Sequence, residues 1–156
     1  MKNLNTYIQE NTCINEKLVV VHKSYNCTPD TKDELRKIIK ERLDKDPNAD
    51  LNDIDVSNIT DMSMIFYNLK PHNINISQWD VSNVDNMEQM FFECENFNSD
   101  LSAWDVSNVR DMSLMFFYCK NFNSDLNNWD VSKVKYMNHM FVNCNNMKEL
   151  PTWYKK

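Results

Sequence analysis

Trp79, Trp104 and Trp129 stand 25 residues apart, and each is followed by Asp-Val-Ser. The register continues without insertion through Val84/Val109/Val134, Met87/Met112/Met137, Met90/Met115/Met140, Phe91/Phe116/Phe141 and Cys94/Cys119/Cys144. A weaker copy precedes them, with Ile54 in the tryptophan place and Asp55, Val56, Ser57, Ile59, Met62, Ile65, Phe66 and Leu69 after it. A unit this short cannot cover its own apolar face, so copies at a fixed period must stack on one another.

The spacing inside a unit predicts what stacks. Val109, Met112, Met115, Phe116 and Cys119 follow the i, i+3, i+6, i+7, i+10 pattern of an apolar helical stripe, with Ser107 as N-cap. Ser82 with Asp85 three residues on resembles a capping box. Leu101, Trp104 and Val106 fall in an extended stretch before the helix, set off by Asn-rich turns such as Asn121 to Ser124. The expectation is an α/β solenoid of about four strand-turn-helix repeats, with the strands in one parallel sheet and the helices on the opposite wall.

Residues 1–50 are expected to form a small N-terminal α/β capping element. It comprises a buried strand at Leu18 to Val21 and an amphipathic helix over Thr31 to Lys45. In that helix Thr31 is the N-cap, Glu34 completes a capping box, and Leu35, Ile38, Ile39 and Leu43 share one stripe. Residues 51–156 form the repeat array, which ends in a degenerate strand, Leu150-Pro151-Thr152-Trp153, where Pro151 withholds a ladder donor.

The chain contains no glycine. That excludes the phosphate-binding loops, the dinucleotide turn, the nucleophile elbow and the EF-hand loop, each of which needs Gly for a positive φ or a close backbone approach. There are 24 asparagines, and Asn is the non-Gly residue that best tolerates left-handed turns, so the turns are expected to be Asn and Asp turns. The net charge is −6, and the first 50 residues are balanced at nine basic and nine acidic, so the whole excess is C-terminal. Such a surface repels phosphate backbones, and direct nucleic-acid binding is not expected.

No apolar leader follows Lys2, and no aliphatic run approaches the ~20 residues of a membrane span. The expected location is cytoplasmic, of a bacterium or a phage-infected host, in preference to surface display. Five cysteines without a C-x-x-C pair point to a reducing compartment, with all five thiols free.

The units resemble the BspA-type leucine-rich-repeat family of bacterial surface proteins, whose repeat reads W-D-V-S-N-V-x-x-M-x-x-M-F-x-x-C-x-x-F-N-x-D-L-S. The pattern runs here as Trp79 to Ser102, Trp104 to Asn127 and Trp129 to Met147, with the weaker copy from Ile54. Residues 28–62 also look like the segment that opens the array in short members found in gut bacteria and their phages. The resemblance implies a right-handed solenoid that serves in recognition and has no chemistry of its own.

Two sets of positions stand out as contact candidates. On a helical projection Phe117 lies well off the core face, and its equivalents are Tyr67, Phe92 and Val142. These four either form an outward apolar ribbon or fold back under the loop if the helix ends early. The other set lies on the strand face, where Gln78, Ala103 and Asn128 flank the row Asp55, Asp80, Asp105 and Asp130. Like charges at strand spacing repel, so each carboxylate accepts backbone N–H bonds in its turn, holds a cation, or joins an acidic strip for a basic partner. The Cys and Met rows read as core.

His22, His72 and His139 occupy unrelated places, and no nucleophile, base and orienter group together, so no catalytic residue is assigned. No cofactor, metal or membrane is expected. The leading expectation is a non-enzymatic protein-binding module acting through the exposed face of the repeats. The alternative is an acidic inhibitor, of the kind a phage encodes, that blocks a nucleic-acid-binding surface of a host protein. A surface adhesin is the third.

Overall fold

The computed structural model describes residues 25–155. The expected strand at Leu18 to Val21, together with Cys13 and His22, lies outside those residues. Among the described residues one helix is present, α1, Lys32–Leu43. The Thr31 hydroxyl accepts from the Glu34 N–H at 3.2 Å, and the Glu34 carboxylate takes the Asp30 N–H at 2.9 Å. Leu35, Ile39 and Leu43 are buried, and Ile38 packs beside them. The expected cap helix is therefore present, two residues shorter at its C-terminus.

The rest departs from the α/β expectation. Among the described residues the repeats contain no helix and no continuous strand, and parallel pairing is confined to isolated bridges such as Asp61 to Asn86, Asn86 to Asp111 and Asp111 to Tyr136. Strand-turn-helix repeats are thus overturned. Each unit, at 54–78, 79–103, 104–128 and 129–153, is a succession of tight turns instead. In the third and its immediate flank, the N–H groups of Trp104, Val109, Met115, Phe117, Cys119 and Phe122 each close a turn on the carbonyl three residues back.

That geometry accounts for the misleading helical spacing. The first and fourth residues of a β-turn lie close together on one side, as residues i and i+3 of a helix do. Leu101 with Trp104, Val106 with Val109, Met112 with Met115, and Phe116 with Cys119 are such corner pairs, and all are buried. A helix is blocked because Leu114 and Tyr118, the third residues of their turns, have φ of 58° and 59°. Equivalent left-handed residues are Met64, Asn68, Gln89, Glu93, His139 and Asn143. Only two of these are asparagine, which corrects the expectation that Asn fills the left-handed positions.

Asn and Asp act through their side chains. Each unit carries Asx turns in which a side-chain oxygen accepts the N–H two residues on. Asp100 takes Ser102 at 2.9 Å, Asp105 takes Ser107 at 3.0 Å, and Asp111 takes Ser113 at 2.8 Å. The same turns recur on Asp50, Asp55 and Asp61, and on Asn75, Asp80 and Asn86.

Units stack through the N–H groups that the turns leave over. Met62, Met64 and Phe66 donate to Asn86, Glu88 and Met90. Met112, Leu114, Phe116 and Tyr118 donate to Tyr136, Asn138, Met140 and Val142 at 2.8 to 3.0 Å. Side chains reinforce the register. Phe66, Phe91, Phe116 and Phe141 stack at 5.0 to 5.6 Å. The indole N–H of Trp79, Trp104 and Trp129 donates to Leu51, Ile76 and Leu101 at 2.9 to 3.1 Å. Trp153 does the same to Leu126 at 2.8 Å from a turn closed on Pro151, so the expected last strand is a turn that continues the indole ladder.

The first unit has no preceding repeat, and α1 takes that place. Its open edge presents carbonyls, and the Arg36 guanidinium donates to those of Met64 and Ile65 at 2.7 Å and Tyr67 at 2.6 Å. Five donors and no acceptor suit Arg to an acceptor-only edge. Lys32 adds an ion pair to Asp61 at 3.1 Å, and Arg42 one to Asp53 at 2.8 Å. Arg36→Met should lower unfolding free energy by about 2 kcal/mol in urea titration, with Arg36→Lys recovering only part, because one ammonium cannot span three carbonyls. At a left-handed position the opposite sign is expected. Glu93→Gly should raise the unfolding free energy in the same titration and Glu93→Val lower it, each by about 1 kcal/mol, as the β-carbon penalty is removed or enlarged.

Candidate interaction surfaces

The row Tyr67, Phe92, Phe117 and Val142 lies on turns, not on the back of a helix. In each case the residue closes a turn whose first member is left-handed, as Phe117 does on Leu114 and Phe92 on Gln89. The three rings are half-buried and Val142 is exposed. Phe92 and Phe117 stack face to face at 5.0 Å, with Tyr67 tilted onto Phe92 at 5.7 Å. The three rings therefore form a continuous apolar ridge, half-buried among their neighbours, with Val142 next in register. Tyr118 and Met64, both exposed, border it.

Gln78, Ala103 and Asn128 are exposed on the turn that precedes each buried tryptophan. The Gln78 N–H donates to the Asn52 side chain at 2.9 Å. Two residues on, Asp80, Asp105 and Asp130 are exposed, and each accepts the serine N–H of its own turn at 3.0 to 3.1 Å. A second acidic row, Asp50, Asp100 and Asp125 with Asn75 among them, went unremarked in the sequence although an Asp/Asn-Leu/Ile-Ser/Asn triplet also recurs there every 25 residues. Asp100 and Asp125 border a polar groove of about 360 Å³ with Asn98, Ser99, Ser102, Asn123 and Ser124. Among the described residues no hydrogen bond, ion pair or ring contact joins the aromatic ridge to these carboxylates.

The turns also set the acidities. The Ser107 hydroxyl and N–H hold the Asp105 carboxyl below its ordinary range, against upward pushes from desolvation and from Asp130. The Ser132 N–H and hydroxyl do the same for Asp130, the Ser102 N–H and hydroxyl for Asp100, and the Asn127 backbone and side chain for Asp125.

Cys94, Cys119 and Cys144 are free and buried, and their thiols point at the carbonyls of Phe66, Phe91 and Phe116 at 3.7, 3.0 and 3.0 Å. Burial pushes all three up, Cys144 to about 12, so none supplies a thiolate near neutral pH. Cys27 is disulfide-bonded, which corrects the expectation of five free thiols. Among the described residues no three His, Cys, Asp or Glu side chains converge as metal ligands, and no helix is long and apolar enough to cross a membrane.

The family model described as Mycoplasma protein of unknown function, DUF285, matches residues 34–153, well over half of the chain. The chain belongs to this family. No curated protein and no solved structure matches it. The DUF285 region opens inside α1 and closes on Trp153, so it takes in the capping guanidinium and the last indole of the ladder as well as the repeats between them.

A carboxyl held below its unfolded value of about 3.9 binds fewer protons folded than unfolded, so its stabilisation is present above that pH and lost as pH falls through the folded value. Asparagine holds the same turn at Asn75 and Asn86. Asp105→Asn with Asp130→Asn should therefore leave the midpoint at pH 7 nearly unchanged and flatten its decline below about pH 4. Thermal melts across pH 2 to 7 would check this.

Proposed function

We propose that the chain is a non-enzymatic protein-binding module whose contact surface is the aromatic ridge of Tyr67, Phe92 and Phe117 with Val142. The observation that carries the reading is the continuous contact of half-exposed rings from Tyr67 through Phe92 to Phe117 along the outside of the repeats. Partly exposed aromatic side chains in a preformed row bring large contact area at little entropic cost, the usual make-up of interface hot spots. Corner residues are spent on packing, so a partner is read by the side chains between them. The likeness of the repeat to the BspA-type leucine-rich-repeat family, whose members serve in recognition, points the same way. Buried thiols that burial keeps protonated are consistent with a surface that binds and does not react.

A second reading has its own support in the paired acidic rows. Asp100, Asp105, Asp125 and Asp130 are exposed and held ionised, a strip that fits a basic partner such as a nucleic-acid-binding protein. The two surfaces are separable. With the full chain as bait, Phe92→Ser with Phe117→Ser, and separately Val142→Glu, should lose the captured partner by about 2 kcal/mol or more, while Asp105→Asn with Asp130→Asn keeps it. The reverse pattern in quantitative binding to that partner would favour the acidic strip and overturn the ridge. Val142→Glu serves as the control for folding, because that side chain is exposed.

A further inference from the structure

The two ends of the stack are finished differently. At the start, Ile59 and Met62 are sealed under α1, at 3% and 0% exposure. At the far end the same rows lose their cover: Val134 and Met137 are only partly buried, where Val109 and Met112 are at 0%. Tyr136 is exposed at 56%. A cleft of about 730 Å³ lies there, lined by Met137, His139, Phe141, Val142, Met147 and Lys148 among others. Pro151 to Tyr154 covers the tryptophan and phenylalanine rows, where Trp153 lies on Trp129 at 6.3 Å and Tyr154 meets Phe141 edge-on at 5.0 Å.

Along one run the backbone of this end offers donors only, flanked by the Lys135 and Asn145 carbonyls, the counterparts of the Arg110 and Lys120 carbonyls that accept from the following unit. In the preceding unit the N–H groups of Met112, Leu114, Phe116 and Tyr118 all donate onward. Their counterparts on Met137, His139, Phe141 and Asn143 have no acceptor among the described residues. An edge of donors needs a partner that brings carbonyls in the same two-residue rhythm and through the same turns. A second copy of this chain cannot supply them. Its matching end offers the same donors, and its carbonyl edge is already filled by Arg36.

Charge narrows the occupant further. Residues 129–156 carry five lysines against two carboxylates, whereas residues 79–103 carry six carboxylates and no cation. Lys148, Lys155 and His139 line the cleft itself.

We propose that this open end binds an acidic coil of the same 25-residue pattern presented by another chain, which adds its carbonyls to the N–H groups of Met137, His139, Phe141 and Asn143 and its carboxylates to Lys148 and Lys155. The surface is distinct from most of the aromatic ridge, sharing only Val142, so the proposal stands apart from the binding role assigned above.

A synthetic peptide copying residues 79–103 with Cys94→Ser is the probe, since it has both the turn pattern and the charge. Titrated into isotopically labelled full chain, it should shift the amide resonances of His139, Phe141 and Asn143 and slow their hydrogen exchange. Binding should weaken about tenfold between about 0.01 M and about 0.15 M salt, and about tenfold in Lys148→Glu with Lys155→Glu. A scrambled peptide of equal composition should bind far more weakly. Equal binding of the scrambled peptide, or binding that leaves those amides unmoved, would overturn the proposal. So would protection of the same amides by self-association in the absence of peptide.

Discussion

Everything in the repeats depends on how backbone N–H groups are shared out. Along residues 112–118 they alternate, one closing a turn on its own unit and the next donating to the following unit. A unit by itself leaves half of that run unpaired, and buried unpaired amides are costly, so no single unit is stable alone. The same rule gives the stack a direction. Along that run carbonyls face one end and N–H groups the other, while Asp85, Arg110 and Lys135 donate the opposite way, so the two ends of the run need different closing chemistry. Arg36 and Lys32 on α1 are the donor-rich solution at the carbonyl end.

Such a path would ordinarily use glycine at the third position of its turns. Here Met64, Gln89, Leu114 and His139 hold that place with φ between 54° and 58°. Each left-handed residue costs roughly 1 kcal/mol or more. The penalty is offset because Met64, Gln89 and Leu114 donate to the next unit and also accept a turn-closing bond, which pins them from two sides. Asn and Asp contribute by a different route. Their side chains start the turns and reach between units, as Asn83 and Asn108 do to the Ser57 and Ser82 carbonyls at 2.9 and 2.8 Å.

The inward residues were legible in the sequence because period and polarity alone select them. Trp79, Phe91, Met112 and Cys119 are all buried as their register implies. The cap helix was legible too, since capping box and apolar stripe agree over Lys32–Leu43. The path between corners was not. Apolar residues three apart fit a helix and a chain of turns equally, and what separates the two is the sign of φ at Leu114 or Glu93, side chains with no left-handed signature. Arg36 was invisible for a similar reason. An arginine on the polar face of an amphipathic helix looks solvated until the carbonyls opposite are known. The aromatic ridge fell between the two expectations, since turns place Phe92 and Phe117 half in and half out.

A directional stack also turns small differences between units into differences along an axis. Positions at turn corners are fixed by packing, so variation is confined to the outward residues, and there the units diverge in charge. Residues 79–103 are purely acidic, whereas residues 129–156 are mostly basic. Adjacent coils stand 5.6 Å apart and these two units are two steps apart, about one Debye length, so their charges act on a partner as a gradient along the stack. A gradient parallel to a row of aligned N–H and C=O groups orients whatever approaches, before any ring of the aromatic ridge is touched. Orientation of a partner thus follows from the repeat's polarity, and affinity from the side chains placed on it.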